Sequence, residues 1–247
     1  MTILLSSSKS MKLSDIRALQ TPFFLNEAHQ LNQKLKELRK KDVLEFFKSS
    51  ESLTEKIYAN IQSWDKEFHD KKNQAALYSF SGDAFTKLDP ESLTQKGKSN
   101  AQKRIRILSG LYGILKPMDS IQPYRLDMAQ KIDGEILTNY WKRKITKSLN
   151  IEYESNIIIN LASKEYSNAI DKAAVPNRWI DMDFYERKNN DLKTVSIFSK
   201  QARGLAARYI CDNLEGRKNI ENLKKFTGGG YRYEDSLSNN DKWVFVR

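Results

Sequence analysis

Cysteine is almost absent from this chain: there is one, Cys211, in 247 residues. A lone cysteine excludes an internal disulfide and suits a reducing compartment. Histidine is nearly as scarce, with two. His29 and His69 stand apart on polar stretches of predicted helices, which argues against a histidine-built metal site or a catalytic triad. No apolar run approaches the roughly 20 residues of a membrane helix. The first one, Ile3 to Leu5, is too short for a signal-peptide core and runs into serines and a lysine. Nothing in these residues directs export, so a cytoplasmic protein with no membrane association is expected. Gly228-Gly229-Gly230 lacks the spacing of a nucleotide-binding loop. No repeat, low-complexity tract or linker divides the chain, so residues 1–247 are expected to form a single domain.

What the chain does have is positive charge. Lysine and arginine number 42 against 31 acidic residues, a formal charge of +11. That balance favours polyanionic partners, nucleic acid being the commonest. A lysine-rich solvated surface has the same composition, so charge alone leaves both readings open. Hydrophobic residues at 39% and charged ones at 30% describe a globular chain.

The periodicities point to an α+β domain: a single mixed β-sheet flanked by helices. Leu31, Leu35 and Leu38 mark one amphipathic helix. Leu53, Ile57, Ile61, Trp64 and Phe68 mark another, with Ser52 and Glu55 as its capping box. Ala75 to Phe80 reads as a buried strand, and Asp89-Pro90 as a helix start. Asn100 to Leu108 reads as a helix that Gly110 stops, and Thr138 to Leu149 as another with Trp141, Ile145 and Leu149 on one face. Ile157 to Ile159 is a continuous apolar strand covered on both sides. Ile180, Met182 and Phe184 alternate with Asp181, Asp183 and Tyr185, a half-buried strand. After a turn at Asn189 to Asp191, Val195 to Phe198 reads as a strand, and Ser199 as the cap of a helix reaching about Leu214. A terminal strand, Trp243 to Val246, closes the chain.

Three segments carry candidate chemistry. In the first, Ser109 to Arg125, Gly110 and Gly113 bracket a tight hairpin behind the basic residues Lys103, Arg104 and Arg106. It resembles a helix-hairpin-helix element, whose backbone amides approach a phosphate. Tyr112 interrupts the usual pattern. Pro117, Pro123 and Tyr124 then present Arg125, which a structural pairing with Asp119 or Asp127 would equally explain.

The second segment is Asn160 to Tyr166. Here a buried strand ends and a helix starts near Ser163, a place where sheet proteins bind ligands. Asn160, Ser163 and Tyr166 are the candidate contacts; a turn former and a helix cap are the structural alternatives. In the third, Lys200 to Arg208, the residues Lys200, Arg203, Gly204 and Arg208 share one helical arc. Cations near a helix N-terminus imply a bound anion, and Gly204 implies close approach by a backbone or ligand. A solvated basic face with a packing glycine is the alternative. Asp181 and Asp183 share a strand face, either as a cation or acid–base pair or, more simply, as a solvated face.

Taken in order, these blocks resemble the YaaA family of bacterial peroxide-stress proteins. The resemblance runs end to end, through Ser6 to Ser10, Phe80-Ser81-Gly82-Asp83, LSGLYGILKPMDSIQPYRLDM, INLASKEY, Lys200 to Gly204, and Gly230-Tyr231 to Phe245. Departures are Ser6-Ser7-Ser8-Lys9-Ser10 for Ser-Pro-Ala-Lys-Thr, Asp127-Met128-Ala129 for Glu-Met-Gly, and Gln201 for a lysine. The resemblance implies a part in surviving hydrogen peroxide by limiting iron-dependent oxidative damage. It also implies a positively charged cleft that binds duplex or branched DNA without sequence preference, and it adds Lys9 to the candidate contacts. Tyr112 and Tyr124 are expected to stack on exposed bases. No cofactor or metal is expected, and no catalytic residue is assigned. The alternative function is an enzyme acting on a nucleotide or nucleic-acid base in a basic pocket lined by Lys9, Arg125, Asn160, Ser163 and Lys200.

Overall fold

Strands that are apolar on both faces need cover on both faces, and the chain supplies it with helices around a central sheet. A computed structural model describes residues 1–67, 73–152, 157–189, 191–213 and 220–247. Phe68, His69, Asn190 and Leu214, named above, lie outside the described residues.

The sheet has eight strands: β1 (Thr2–Ser6), β2 (Ile105–Ser109), β3 (Gly113–Leu115), β4 (Ile157–Asn160), β5 (Arg178–Lys188), β6 (Asp191–Lys193), β7 (Arg232–Tyr233) and β8 (Lys242–Val246). Their order is β7-β8-β5-β4-β1-β2-β3, with β6 paired to β5. The run β8-β5-β4-β1-β2 is parallel, while β3, β6 and β7 pair antiparallel. This is a mixed sheet, as expected from the sequence. The helices are α1 (Leu25–Lys36), α2 (Lys40–Phe47), α3 (Glu51–Ser63), α4 (Ala76–Ser79), α5 (Asp83–Leu88), α6 (Gln95–Arg104), α7 (Leu137–Glu152), α8 (Lys164–Ser167) and α9 (Ser196–Asn213).

Long periodic segments fold as read. Trp141, Ile145 and Leu149 of α7 are fully buried, as are Ile158 and Ile159 of β4. On β5, Ile180, Met182 and Phe184 point into the core, where Phe184 meets the rings of Phe226, Tyr231 and Phe245. Asp181, Asp183 and Tyr185 face the other way, half-buried.

Short apolar runs fold differently from expectation. Ala75 to Phe80 is one strand residue followed by the helical turn α4, all of it buried. Burial from every side gives both conformations the same apolar signature. The helix expected over Asn100 to Leu108 ends at Arg104, and Ile105 enters β2. Ile105 and Ile107, two residues apart, favour the pleated sheet, where branched side chains on one face pack well. Val195 to Phe198 is not a strand. The strand ends at Lys193 and α9 begins at Ser196, so Ser199 is a buried helical residue whose hydroxyl donates to the Phe184 carbonyl at 3.3 Å. Ser50, rather than Ser52, is the N-cap of α3, and Thr54 returns a hydrogen bond to its carbonyl.

Helices α5 and α9 cross so closely that a Cβ on Gly204 would lie 1.9 Å from the Ala84 carbonyl oxygen. The obstacle is backbone, which cannot rotate aside. Alanine in an exposed helix gains about 1 kcal/mol over glycine, but overpacking costs about 1–3 kcal/mol and occasionally more. Gly204→Ala is expected to lower stability by about 2 kcal/mol in urea denaturation, the reverse of the usual helical substitution. Cys211, further along α9, is fully buried, and burial pushes its thiol pKa up to about 12.

Candidate functional site

From β1 the chain crosses to β2 on one side, and later returns to place β4 on the other. Connections leaving the carboxyl ends of β1 and β4 therefore diverge. Open sheets of this kind bind ligands where such loops part, because nothing fills the gap. The two loops are Ser6 to Ser10 and Leu161 to Tyr166.

They are tied together by hydroxyl groups. Ser6 Oγ accepts the Ser163 backbone N–H at 2.9 Å and lies 3.3 Å from the Ser163 hydroxyl. Ser7 anchors its own N–H on the Leu108 carbonyl of β2 at 2.8 Å, and its hydroxyl donates to Tyr166 Oη at 3.4 Å. Tyr166 in turn donates to Asp127 Oδ1 at 3.2 Å, while Lys9 Nζ sits 3.2 Å from Asp127 Oδ2. Burial, with the nearby Asp127 charge, raises the Tyr166 pKa, so this phenol stays a donor. On the other side, Ser8 packs against Gly82, where a Cβ would stand 2.2 Å from the serine hydroxyl. Gly82 opens α5, the helix that crosses α9 at Gly204. The Ser6–Ser10 turn thus touches segment two directly and, through Asp127, the chain just past segment one. Segment three is one helix removed.

Gly110 and Gly113 do form a hairpin, but strands β2 and β3 flank it rather than two helices. Its glycines serve packing. A Cβ on Gly110 would meet the Leu126 carbonyl at 2.2 Å; Gly113 has φ +70° and faces the Trp141 ring. Trp141 Nε1 donates to the Gly110 carbonyl at 2.8 Å. Tyr112 is fully buried, and its hydroxyl accepts the Trp64 indole N–H at 2.9 Å and the Gln122 backbone N–H at 3.2 Å. Burial pushes its pKa up to about 12. Its ring has no face available to a base, so the expected stacking role does not fit. Tyr124 is also engaged: its ring lies edge-on to Phe80 and Tyr112, and its hydroxyl is 2.6 Å from Ser109 Oγ. Arg125 follows, partly exposed, its buried Nε lacking a hydrogen-bond partner among the described residues.

Asn160 builds the turn. Its amide donates to Asp181 Oδ1 at 2.8 Å, and its oxygen accepts the Ala162 N–H at 3.0 Å. Ser163 is the N-cap of α8 without a side-chain capping bond. On α9, the start at Ser196 puts Lys200 beyond the first turn and Arg203 nearly two turns in, outside the reach of the helix dipole. The dipole argument for an anion therefore lapses. Lys200 is exposed, whereas burial lowers the Arg203 pKa against the opposing field of Asp183. Its Nε, like that of Arg125, has no partner among the described residues. Arg208 is committed to structure: it donates to the carbonyls of Leu88, Asp89 and Ser92 and to the Ser92 hydroxyl, and faces Asp89 and Asp212.

Asp181 and Asp183 are separately engaged. Burial would raise the Asp181 pKa, but hydrogen bonds from Asn160, Trp179 and Lys172 outweigh it and the pKa is lowered. Asp183 pairs with Lys242 at 3.2 Å. Among the described residues no group of three His, Cys, Asp or Glu could hold a metal ion, and no helix is long and apolar enough to cross a membrane. Sequence reasoning did not find the hydrogen-bonded roles of Ser7, Ser109 and Asp127. The hydroxyl partners that join them to the site, Tyr166 for both Ser7 and Asp127, and Tyr124 for Ser109, lie 15 to 159 residues away, and no local spacing signals such contacts.

The family model for "Peroxide stress protein YaaA" matches residues 1–237. A UPF0246 protein of Francisella philomiragia subsp. philomiragia is 39% identical over the full length of both chains. UPF0246 proteins of Francisella tularensis subsp. novicida and subsp. mediasiatica are each 38% identical, again over both full lengths. With the family pattern spanning nearly the whole chain, this protein belongs to the YaaA (UPF0246) family of peroxide stress proteins.

Proposed function

We propose that this protein binds DNA, tolerant of sequence, and that this binding helps limit iron-dependent oxidative damage during peroxide stress. One observation carries the reading: the guanidinium groups of Arg125 and Arg203 each hold a buried Nε donor with no acceptor among the described residues. A desolvated donor on a permanent cation is costly, and rotation of the guanidinium onto a phosphate oxygen would relieve that cost with a charge-assisted bond. Lys9 and Lys200, both exposed, add point charges, and the net charge of +11 favours encounter with a polyanion. Arg208, already saturated, contributes architecture rather than contact.

The test is fluorescence anisotropy with a labelled duplex and a branched junction across a salt series. Log affinity should fall linearly with log salt, and Arg125→Ala with Arg203→Ala should flatten the slope by about 1.8, roughly 0.9 per phosphate contact. Salt-independent binding, or an unchanged slope in the double variant, sinks the idea. In cells, the same variant should fail to restore peroxide tolerance.

The second reading, an enzyme acting on a nucleotide or base, is favoured by the gathering of Ser7, Lys9, Asp127, Ser163 and Tyr166 where the β1 and β4 loops part. Saturable competition by free mononucleotides against the DNA probe would support it over an open groove.

A further inference from the structure

We propose that Tyr166 is a positioning residue that presets Lys9 for phosphate recognition, acting through Asp127; this rests on the DNA-binding reading. A surface lysine paired with a carboxylate is ordinarily a loose contact, worth little because both side chains move. Here one partner is pinned. The Asp127 side chain is 17% exposed against 61% for Lys9. Tyr166 Oη holds Oδ1 at 3.2 Å, which leaves Oδ2 facing Lys9 at 3.2 Å. The Asp127 backbone is fixed as well, its N–H on Gln130 Oε1 at 2.8 Å and its carbonyl accepting the Gln130 N–H at 3.1 Å.

The pinning continues inward. Tyr166 is 6% exposed, and its oxygen accepts the Ser7 hydroxyl proton. Ser7 is itself fixed to the sheet, its N–H on the Leu108 carbonyl of β2 at 2.8 Å. A chain of hydroxyls therefore runs from the sheet to the carboxylate, and Lys9 is its exposed end. Holding a lysine in one geometry before the ligand arrives removes part of the ordering entropy of binding. The raised Tyr166 pKa keeps the proton on the phenol throughout the working range, so the orientation does not lapse near neutral pH.

A double-mutant cycle separates this from a general structural role. Tyr166→Phe should weaken DNA binding about fivefold, the worth of one hydrogen bond near 1 kcal/mol. In a Lys9→Met background the same change should cost nothing further. An equal loss in both backgrounds overturns the proposal. A second measurement does not depend on DNA: acetic anhydride labelling of the intact protein, read by mass spectrometry residue by residue. Tyr166→Phe and Asp127→Asn should each raise Lys9 acetylation relative to Lys200, with the far-ultraviolet circular dichroism and the cooperative urea unfolding transition retained. Unchanged Lys9 reactivity in Tyr166→Phe overturns the positioning role. Absence of DNA binding in the unaltered protein would instead overturn the functional reading, leaving the labelling result to decide the positioning itself.

Discussion

Trp141→Ala is expected to destabilise the fold by about 4 kcal/mol, in the range for deleting a fully buried aromatic side chain. Two effects add. The indole is 0% exposed, packed against Phe24 and Tyr140 and against the bare face of Gly113. Its N–H also satisfies the Gly110 carbonyl at 2.8 Å, which truncation leaves without that donor. At roughly 2–4 °C per kcal/mol for a domain of this size, the melting temperature should fall by about 8–16 °C. Trp141→Phe should recover much of the packing and none of the hydrogen bond. A loss below about 1 kcal/mol for the alanine variant would show that the hairpin does not depend on this ring. The consequence reaches the site, because Gly110 also abuts the Leu126 carbonyl, and Leu126 lies between Arg125 and Asp127.

The second large effect is a pH dependence set by Asp119. This carboxyl is 2% exposed, accepts the Gln20 side-chain amide at 2.5 Å and the Lys116 N–H at 2.8 Å, and borders a cavity of about 140 Å³ shared with Arg106 and Lys116. Burial pushes its pKa from 3.8 up to about 6, against those hydrogen bonds and the charges of Lys116 and Arg106, which lower it. Between these two values the native state binds more protons than the unfolded chain. Stability contributed by this group is therefore lost as pH rises from about 4 to above 6, by up to about 3 kcal/mol. Carboxylates such as Asp181, whose pKa is lowered, slope the other way. The informative quantity is thus the difference between the unaltered protein and Asp119→Asn, measured by urea unfolding at pH 4 to 8. The variant should gain on the unaltered protein across that window; parallel curves would refute the assignment.

How much of this the sequence disclosed depends on the range of the interaction. Trp141, Ile145 and Leu149 announce a helix by spacing alone, and Ile157 to Ile159 a doubly covered strand by continuity. Ala75 to Phe80 carries no period, because burial from all sides erases it, so strand and helical turn read alike. The boundary at Arg104 and Ile105 was hidden because no glycine, proline or other turn residue marks it, although the partner changes from α9 to β1 there. At the site, the turn at Ser6 to Ser10 entered through resemblance, and its hydroxyl contacts join residues too far apart in the chain for local spacing to betray. The glycines misled in an instructive way. Gly110, Gly113 and Gly204 each sit where a Cβ would collide, as a ligand-binding loop would require, yet the colliding atoms belong to the protein itself.

Cys211 has a consequence for how such a protein meets the stress its family is named for. Peroxide attacks thiolate, and burial, which pushes the Cys211 pKa up to about 12, keeps this thiol protonated at pH 7. The chain has no second cysteine with which to form a bridge. Burial thus keeps this thiol in the form that peroxide attacks least.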